Sequence, residues 1–314
     1  MKVAVLGYGT VGAGVYRMLL DAPGMEAGPV LVRPGKAVES FMVSDAALIF
    51  DDPTVDAVVE TLGGLDPAYS FGLRALEAGK HFVTANKAMV AAHGLELAAL
   101  AREKGTAFLF SAACGGGVPF LHNLALSAET DRIEAVSGIL NGTTNYMLDA
   151  MQRRALSYAD ALREAQSLGY AEADPTADIE GHDACRKICI LAALAFGQHV
   201  YPQQVPTEGI RNVTLEDVAY ADSKGYKIKL LGRCIREPEG KVCAFVAPHL
   251  VSDENPLAGV EDVFNAITVK GDAIGDVMFY GRGAGKLPTA SAVVADVIDI
   301  AKDLKKDRHI AWGP

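Results

Sequence analysis

The chain has 314 residues, and its 29 Lys and Arg against 39 Asp and Glu give a net charge of −10. This balance excludes a nucleic-acid-binding protein that works through bulk positive charge. Half of the residues are hydrophobic and 22% are charged, which predicts a folded protein of about two domains at roughly 100 to 200 residues each.

No apolar run is long enough to span a membrane, since the richest one covers only residues 188–196. The N-terminus lacks the pattern of a secretory signal. The five cysteines are scattered without a CxxC pair, so buried thiols are favoured over a metal site or disulfides. We therefore expect a cytoplasmic protein with no membrane partner.

A glycine-rich turn follows the first predicted strand, at residues 2–6. It reads GYGTVG and leads into a helical pattern. In a GxGxxG turn the glycines allow a tight bend, close approach of a pyrophosphate and close packing of the helix on the strand. We predict a dinucleotide site rather than a purely structural turn, with cofactor contacts from Gly7, Gly9, Thr10, Val11 and Gly12.

The second strand is predicted at residues 30–32, and it is followed by Arg33. NAD-binding proteins usually place a carboxylate there for the ribose 2′-hydroxyl. Arg33 and Lys36 can instead hold a 2′-phosphate, which predicts NADP as the preferred cofactor and leaves NAD possible. The alternative is a solvated basic loop.

Strands predicted at residues 46–50, 57–60, 81–84 and 107–111 alternate with helices over 69–78 and 95–104. This alternation predicts an α/β fold with a doubly wound parallel sheet of Rossmann type. Ligands bind at the carboxyl ends of such strands. We therefore predict further cofactor contacts from the loops there, at Gly63, Thr84, Asn86, Lys87 and Gly115.

A second α/β domain is predicted from about residue 131. A strand over 133–139 ends in the polar segment NGTTNY, which is either part of a site or only a turn and helix cap. A helix from Ser157 to about residue 169 follows. A further helix over 215–224 and strands over 228–233, 242–248 and 265–269 suggest a sheet that can pair with a second copy of the chain.

The segment GYAEADPTADIEGHDACRK precedes the helix 188–196, which is apolar on all sides and therefore buried. Asp183 and Lys187 form an i,i+4 pair at the start of this helix, so their charges should face the interior. A simple helix-end salt bridge is the alternative. The nearby carboxylates favour a site, because clustered negative charges need a cationic ligand or lysine; they are Glu172, Asp174, Asp178 and Glu180.

Residues 279–289 form another glycine-rich segment before a helix predicted over 290–304. We predict that Gly285 approaches the cofactor, with a flexible hinge as the alternative.

Six motifs occur in order along nearly the whole chain: GxGxxG, TANK, GGGVP, NGTTNY, GYAEADPTADIEGHDACRK and GRGAGKLPTASAVVAD. In these motifs the chain closely resembles the homoserine dehydrogenases. The resemblance implies an NAD(P)-dependent oxidoreductase that interconverts L-homoserine and L-aspartate 4-semialdehyde in threonine, isoleucine and methionine biosynthesis. It also implies a homodimer. It assigns Lys187 and Lys87 as catalytic, and as substrate-binding Glu172, Asp178, Asp183, Thr143, Gly142 and Tyr170.

The chain departs from the family at Ser111, where relatives commonly carry a Glu that helps to form a monovalent-cation site. A sodium or potassium ion near Cys114, Gly116 and Val118 is therefore left open, and no other metal is expected. The segment from Arg33 to residue 44 is also short, which leaves the adenosine pocket open.

The expected domains are a cofactor domain over residues 1–130, completed by 281–304, a substrate and dimerisation domain over 131–280, and a tail over 305–314. Too few residues follow the last helix for the amino-acid-sensing ACT domain of some relatives, so we expect no threonine control through such a domain. Two rival hypotheses are a dehydrogenase for a different amino acid and a non-catalytic NADP sensor.

Overall fold

The computed structural model describes residues 1–302, so the predicted tail and the last residues of the predicted final helix lie outside the described residues. The chain forms two compact units. Unit 1 comprises Met1–Pro119 and the segment that begins at Ala284, and unit 2 comprises Phe120–Gly283. Within residues 1–302, none of the helices has the length and apolar character that a membrane span requires.

Unit 1 contains a six-stranded parallel sheet with the strand order β3-β2-β1-β4-β5-β6. This order is that of a Rossmann-type sheet, so the predicted fold class is confirmed. The strands are β1 (Lys2–Leu6), β2 (Glu26–Leu31), β3 (Met42–Val43), β4 (Ala57–Glu60), β5 (His81–Thr84) and β6 (Phe108–Leu109).

The helices of unit 1 are α1 (Thr10–Asp21), α2 (Ala47–Phe50), α3 (Ala68–Glu77), α4 (Lys87–Lys104) and α11 (Lys286–Lys302). Valines of β1 and β4 pack with apolar residues of α1 and α11 in one buried cluster. Burial of this surface is the main force that holds the sheet and the two helices together. The strand before the glycine-rich turn and the helix after it therefore both pack in the core, which fixes the two ends of the turn.

Unit 2 contains a five-stranded antiparallel sheet with the order β11-β10-β7-β8-β9. Its strands are β7 (Ile133–Ile139), β8 (Tyr226–Arg236), β9 (Val242–Ser252), β10 (Phe264–Gly271) and β11 (Gly275–Arg282). Its helices are α5 (Phe120–Thr130), α6 (Gly142–Arg154), α7 (Tyr158–Ser167), α8 (Thr176–Ile179), α9 (His182–Phe196) and α10 (Leu215–Ser223). Every residue from Ile188 to Phe196 is buried, as predicted for the apolar half of α9.

The structure corrects several predicted elements of unit 1. Residues 46–50 were predicted as a strand, but Ala47–Phe50 form the short helix α2, and the Asp45 side chain accepts a hydrogen bond from the Ala47 amide just before it. The strand predicted at 30–32 begins at Glu26, because parallel pairing with β1 runs from Lys2↔Glu26 to Leu6↔Leu31.

The glycine-rich segment over 279–289 is also not a loop throughout. Its first part belongs to β11, which pairs with β10 over its whole length, and its last part opens α11 at Lys286. The helix α5 was not predicted. None of the five cysteines forms a disulfide, and Cys243 is the exposed one among them.

Candidate active site

A cavity of about 1070 Å³ opens in unit 1 at the carboxyl ends of β1, β2 and β4. Five of the predicted cofactor residues line it, namely Gly7, Gly9, Arg33, Lys36 and Gly63. Its place at the carboxyl edge of a parallel sheet is where such folds bind ligands.

The glycines of the first turn differ in what surrounds them. A Cβ on Gly12 would lie 2.1 Å from the Gly7 carbonyl oxygen, so Gly12 allows α1 to pack against the turn. A Cβ on Gly9 would have no atom within 4 Å, so the backbone at Gly9 faces open space. This arrangement fits a pyrophosphate that approaches the backbone at Gly9 and the start of α1.

The cavity residues that follow β2 carry both charge and aromatic surface. Arg33 and Lys36 line the cavity together with Glu39, a carboxylate that the sequence did not single out. Phe41 also lines it, and its ring stacks on Tyr16 with 4.3 Å between the ring centroids. The wall therefore offers two cations and a flat apolar surface, which suit the phosphate and the base of an adenosine.

A buried carboxylate that the sequence did not single out ties two loops of unit 1 together. Glu60 is fully buried at the end of β4 and accepts hydrogen bonds from the amides of Leu62 (2.6 Å) and Gly63 (3.1 Å). Its other oxygen accepts from the Thr84 hydroxyl at 2.5 Å. Asn86 then donates to the Gly64 carbonyl at 2.6 Å, so both loops at this sheet edge are fixed to each other.

The other predicted cofactor residues lie outside the cavity lining. Asn86 caps α4, and Lys87 is the first residue of that helix and half-buried. Thr10, Val11 and Gly12 open α1, whereas Gly285 is exposed with φ +129° just before α11.

The loop proposed for a monovalent cation follows a short 3-10 turn, Ser111–Ala113. Cys114, Gly115, Gly116 and Val118 are all buried, and the Val118 amide donates to the Gly115 carbonyl at 2.9 Å. In the part of the chain that the structure describes, His, Cys, Asp and Glu side chains form no group of three that could hold a metal ion. A cation held by backbone carbonyls in this loop stays a prediction.

Unit 2 contains a buried pair of opposite charges at the start of α9. Lys187 Nζ donates to Asp183 Oδ2 at 2.7 Å and to the Leu140 carbonyl oxygen at 2.6 Å. Lys187 is 7% exposed and Asp183 is 3% exposed. The prediction that these charges face the interior is confirmed. A buried ion pair adds little to stability, because the cost of removing both charges from water offsets their attraction.

Asn141 links this pair to a second carboxylate. Its Nδ2 donates to Asp178 at 2.7 Å and to Asp183 at 2.9 Å, while its Oδ1 accepts from the Thr144 amide and caps α6. One side chain therefore joins α6, α8 and α9. The sequence indicated only the cap, since nothing in the NGTTNY motif shows that Asn141 meets residues some forty positions away.

Three of the predicted substrate-binding residues lie near Asn141, at the start of α6. The Thr143 hydroxyl donates to the Tyr170 carbonyl at 2.5 Å, and the Tyr170 ring meets the edge of Tyr146 at 5.1 Å between centroids. A Cβ on Gly142 would lie 2.6 Å from the Val263 carbonyl oxygen, so only glycine fits there. The Thr143–Tyr170 hydrogen bond and the close approach of Val263 to Gly142 both lie at the start of α6.

The predicted cluster of five carboxylates is not assembled. Asp178 and Asp183 converge, whereas Glu180 pairs with Arg211 and Glu172 is exposed. Asp174 accepts from the Thr176 amide, and hydrogen bonds from Thr176 lower the pKa of this carboxyl. Asp174 and Glu180 therefore have local partners and do not join Asp178 and Asp183 around Asn141.

Comparison with known proteins identifies the relatives of both units. Residues 119–298 match the family model described as homoserine dehydrogenase, and residues 7–111 match its NAD-binding domain. The homoserine dehydrogenase of Pseudomonas aeruginosa is 42% identical, with all of this chain and 76% of that protein aligned.

Solved structures agree. A homoserine dehydrogenase from Thiobacillus denitrificans superposes with a TM-score of 0.93 at 41% identity, covering 100% of this chain and 77% of that one. A hyperthermophilic archaeal homoserine dehydrogenase in complex with NADPH has a TM-score of 0.82 at 25% identity, covering 98% and 99% of the two chains. Both the sequence match and the fold lead to one conclusion: the chain belongs to the homoserine dehydrogenase family.

Proposed function

We propose that this chain is a cytoplasmic enzyme that interconverts L-homoserine and L-aspartate 4-semialdehyde with a nicotinamide cofactor. The observation that carries the proposal is the buried ammonium of Lys187, held between a carboxylate and a carbonyl in a chain of this family. Burial of an ammonium costs free energy, so its presence in the interior favours a role in the chemistry over a role in stability.

The cofactor residues of unit 1 fit a dinucleotide. Gly7, Gly9 and the start of α1 would hold the pyrophosphate, and Arg33 and Lys36 would hold a 2′-phosphate. The nicotinamide, when bound, supplies or accepts the hydride. The open backbone at Gly9 is the structural feature that supports this fit.

Lys187 would act on the substrate oxygen. When the aldehyde is reduced, negative charge builds on that oxygen, and a positioned ammonium stabilises the charge and provides the proton. In the opposite direction the neutral amine of Lys187 takes the proton from the hydroxyl and becomes the ammonium. Asp183 favours the charged form of Lys187 and fixes its Nζ at 2.7 Å.

The remaining site roles come from the family resemblance. Lys87 would be the second catalytic lysine, and Glu172 and Asp178 would hold the amino group of the substrate. The group at the start of α6, formed by Gly142, Thr143 and Tyr170, would complete the amino-acid pocket. The exposed position of Glu172 leaves its carboxylate accessible to a charged ligand.

The decisive experiment is an assay of the purified protein with L-homoserine and either NAD⁺ or NADP⁺, followed at the absorbance band of the reduced nicotinamide. We expect reduction that depends on homoserine. Reduction with another amino alcohol but not with homoserine would support a different amino-acid dehydrogenase. Cofactor binding without turnover would support a sensor.

We also propose that NADP is the preferred cofactor. Arg33 and Lys36 line the cavity just after β2, where dinucleotide-binding proteins hold the ribose 2′ position, although Glu39 lines it too. The archaeal relative in complex with NADPH is consistent with this preference. A comparison of kcat/KM for the two cofactors tests it, and a strong preference for NAD would contradict it.

We propose a homodimer formed through one face of the antiparallel sheet. The strand pairing aligns a row of side chains across this face: Met278, Thr268, Ser137, Arg233 and Phe245. The alternate residues Ala244 and Val246 are buried, whereas Phe245 and Ala247 stay half-exposed. A half-exposed sheet face of this kind suits a second copy of the chain, and light scattering that gives the mass of a monomer would contradict the proposal.

A monovalent cation, if one binds, would occupy the loop of Cys114, Gly116 and Val118. Turnover measured in potassium, sodium and tetramethylammonium salts tests this, and equal rates in all three would argue against such a site.

A further inference from the structure

The Leu140 carbonyl, which follows β7, accepts two hydrogen bonds. One comes from Lys187 Nζ at 2.6 Å, and the other comes from Asn265 Nδ2 at 3.0 Å. Leu140 is fully buried and Asn265 is 2% exposed. The acceptor that holds one side of the Lys187 ammonium is therefore itself held by a second side chain.

Asn265 is fixed in this position by its surroundings. It lies near the start of β10, and the next residue, Ala266, pairs with Ile139 of β7, which places Asn265 beside Leu140. A Cβ on Gly283 would lie 2.1 Å from the Asn265 amide group, so the amide packs directly against the Gly283 backbone. The amide has little freedom to turn away from the Leu140 carbonyl.

A contribution to stability does not explain why this position is an asparagine. Within the described residues its Oδ1 is buried and accepts no hydrogen bond from the protein, which is unfavourable because a buried acceptor has given up its hydrogen bonds to water. An apolar residue of the same shape would avoid that cost. What the asparagine provides instead is the donor to the Leu140 carbonyl.

From this geometry we infer that Asn265 is a positioning residue for Lys187, acting through the Leu140 carbonyl. Asn141 fixes Asp183 on one side of the ammonium, and Asn265 fixes Leu140 on the other. The two amides together set the direction of Lys187 Nζ, and a misplaced general acid loses much of its effect. The inference rests on the proposed catalytic role of Lys187.

The variant Asn265→Leu keeps the shape of the side chain and removes the donor. We expect kcat to fall about tenfold, the KM for the cofactor to stay unchanged, and the midpoint of urea unfolding to stay the same or rise. Asn265→Ala, which also lacks the donor, should lose at least as much kcat. Wild-type kcat in both variants would overturn the inference.

A matched control is Thr106→Val. Thr106 is 5% exposed and its hydroxyl also donates to a backbone carbonyl, that of Ala101 at 3.4 Å, but in unit 1. We expect this variant to lose stability and keep kcat. An equal loss of kcat in Thr106→Val would mean that deletion of any buried hydrogen bond slows the enzyme, and would remove the support for Asn265.

A double-variant cycle separates this inference from the proposed function. If Asn265 acts through Lys187, adding Asn265→Leu to Lys187→Met should not lower the residual rate further. A second tenfold loss in that background would overturn the inference. Wild-type turnover in Lys187→Met alone would instead refute the proposed role of Lys187.

Discussion

Lys187 is the proposed proton donor, and its replacement should affect both turnover and stability, which can be measured separately. Lys187→Met should lower kcat by about 10² to 10⁴, because the negative charge that builds on the substrate oxygen is no longer stabilised or protonated by an ammonium. It should also destabilise unit 2 by about 3–5 kcal/mol, because Asp183 loses the opposite charge that pairs with it in the interior. Steady-state kinetics and urea unfolding measure the two effects.

The double variant Lys187→Met with Asp183→Asn is the control. It removes both charges, so most of the lost stability should return while the activity stays low. A Lys187→Met variant that turns over at nearly the wild-type rate would remove Lys187 from the mechanism.

Arg33 should decide between the two cofactors. Arg33→Gln removes a cation from the cavity, so kcat/KM for NADPH should fall by about tenfold or more while that for NADH changes little. Arg17→Gln, an exposed arginine on α1, has the same change of charge and should leave the ratio unaltered. A parallel loss with both cofactors would show that Arg33 does not contact a 2′-phosphate.

Residue-scale prediction from the sequence worked where spacing was local. The i,i+4 spacing of Asp183 and Lys187 placed both on one side of a helix whose continuation is apolar, and this was enough to predict their burial. The sequence did not predict the long-range hydrogen bonds of Asn141, Asn265 and Glu60. Their partners are brought close by the packing of strands and helices and are far away in the sequence.

At the scale of elements, the turn between β1 and α1 allows a test in which two glycines respond differently. Gly12→Ala places a Cβ 2.1 Å from the Gly7 carbonyl, so we expect a lower thermal midpoint and impaired folding of unit 1. Gly9→Ala meets no atom within 4 Å, so the midpoint should not change. Its methyl group would occupy the space needed by the pyrophosphate, so the cofactor Kd should rise at least tenfold.

Thermal unfolding and cofactor titration by fluorescence measure the two responses. Normal cofactor affinity in a folded Gly9→Ala variant would show that the pyrophosphate does not bind at this turn. The two variants are each other's control, since both add one methyl group to the same motif.

Most strands could be predicted from the sequence, whereas the edge strand β11 could not. The strands β4, β5 and β7 were predicted with the bounds that the structure shows, because each is a short apolar run between turns. In β11 the exposed and half-exposed residues alternate at a sheet edge, and its glycines resembled a loop. Only its long-range pairing with β10 makes it a strand.

At the scale of the whole molecule, assembly should depend on the row of side chains across the sheet of unit 2. Phe245→Asp places a charge at the β9 end of that row and should convert the proposed dimer to a monomer. Tyr220→Asp makes a comparable change at an exposed aromatic residue of α10 and should leave the dimer intact. A Phe245→Asp variant that remains dimeric in light scattering would place the interface elsewhere.

The stability of the folded chain should also depend on pH through Asp296 of α11. This carboxylate is buried, it accepts a hydrogen bond from the Ser111 amide at 2.8 Å, and burial raises its pKa to about 7. A group whose folded pKa lies above its unfolded value of 3.8 contributes stability below pH 4, and that contribution is lost as the pH rises through 7.

Asp296→Asn cannot ionise, and its amide oxygen can still accept from the Ser111 amide. We therefore expect the variant to be more stable than the wild type at pH 8, by at most about 4 kcal/mol, and to match it near pH 4. Urea unfolding at several pH values between 4 and 8 measures the difference. Glu129→Gln changes the net charge equally at an exposed position of α5, so its pH profile should follow that of the wild type. If Asp296→Asn showed the same pH dependence as the wild type, the carboxylate would already be ionised at little cost in the folded protein.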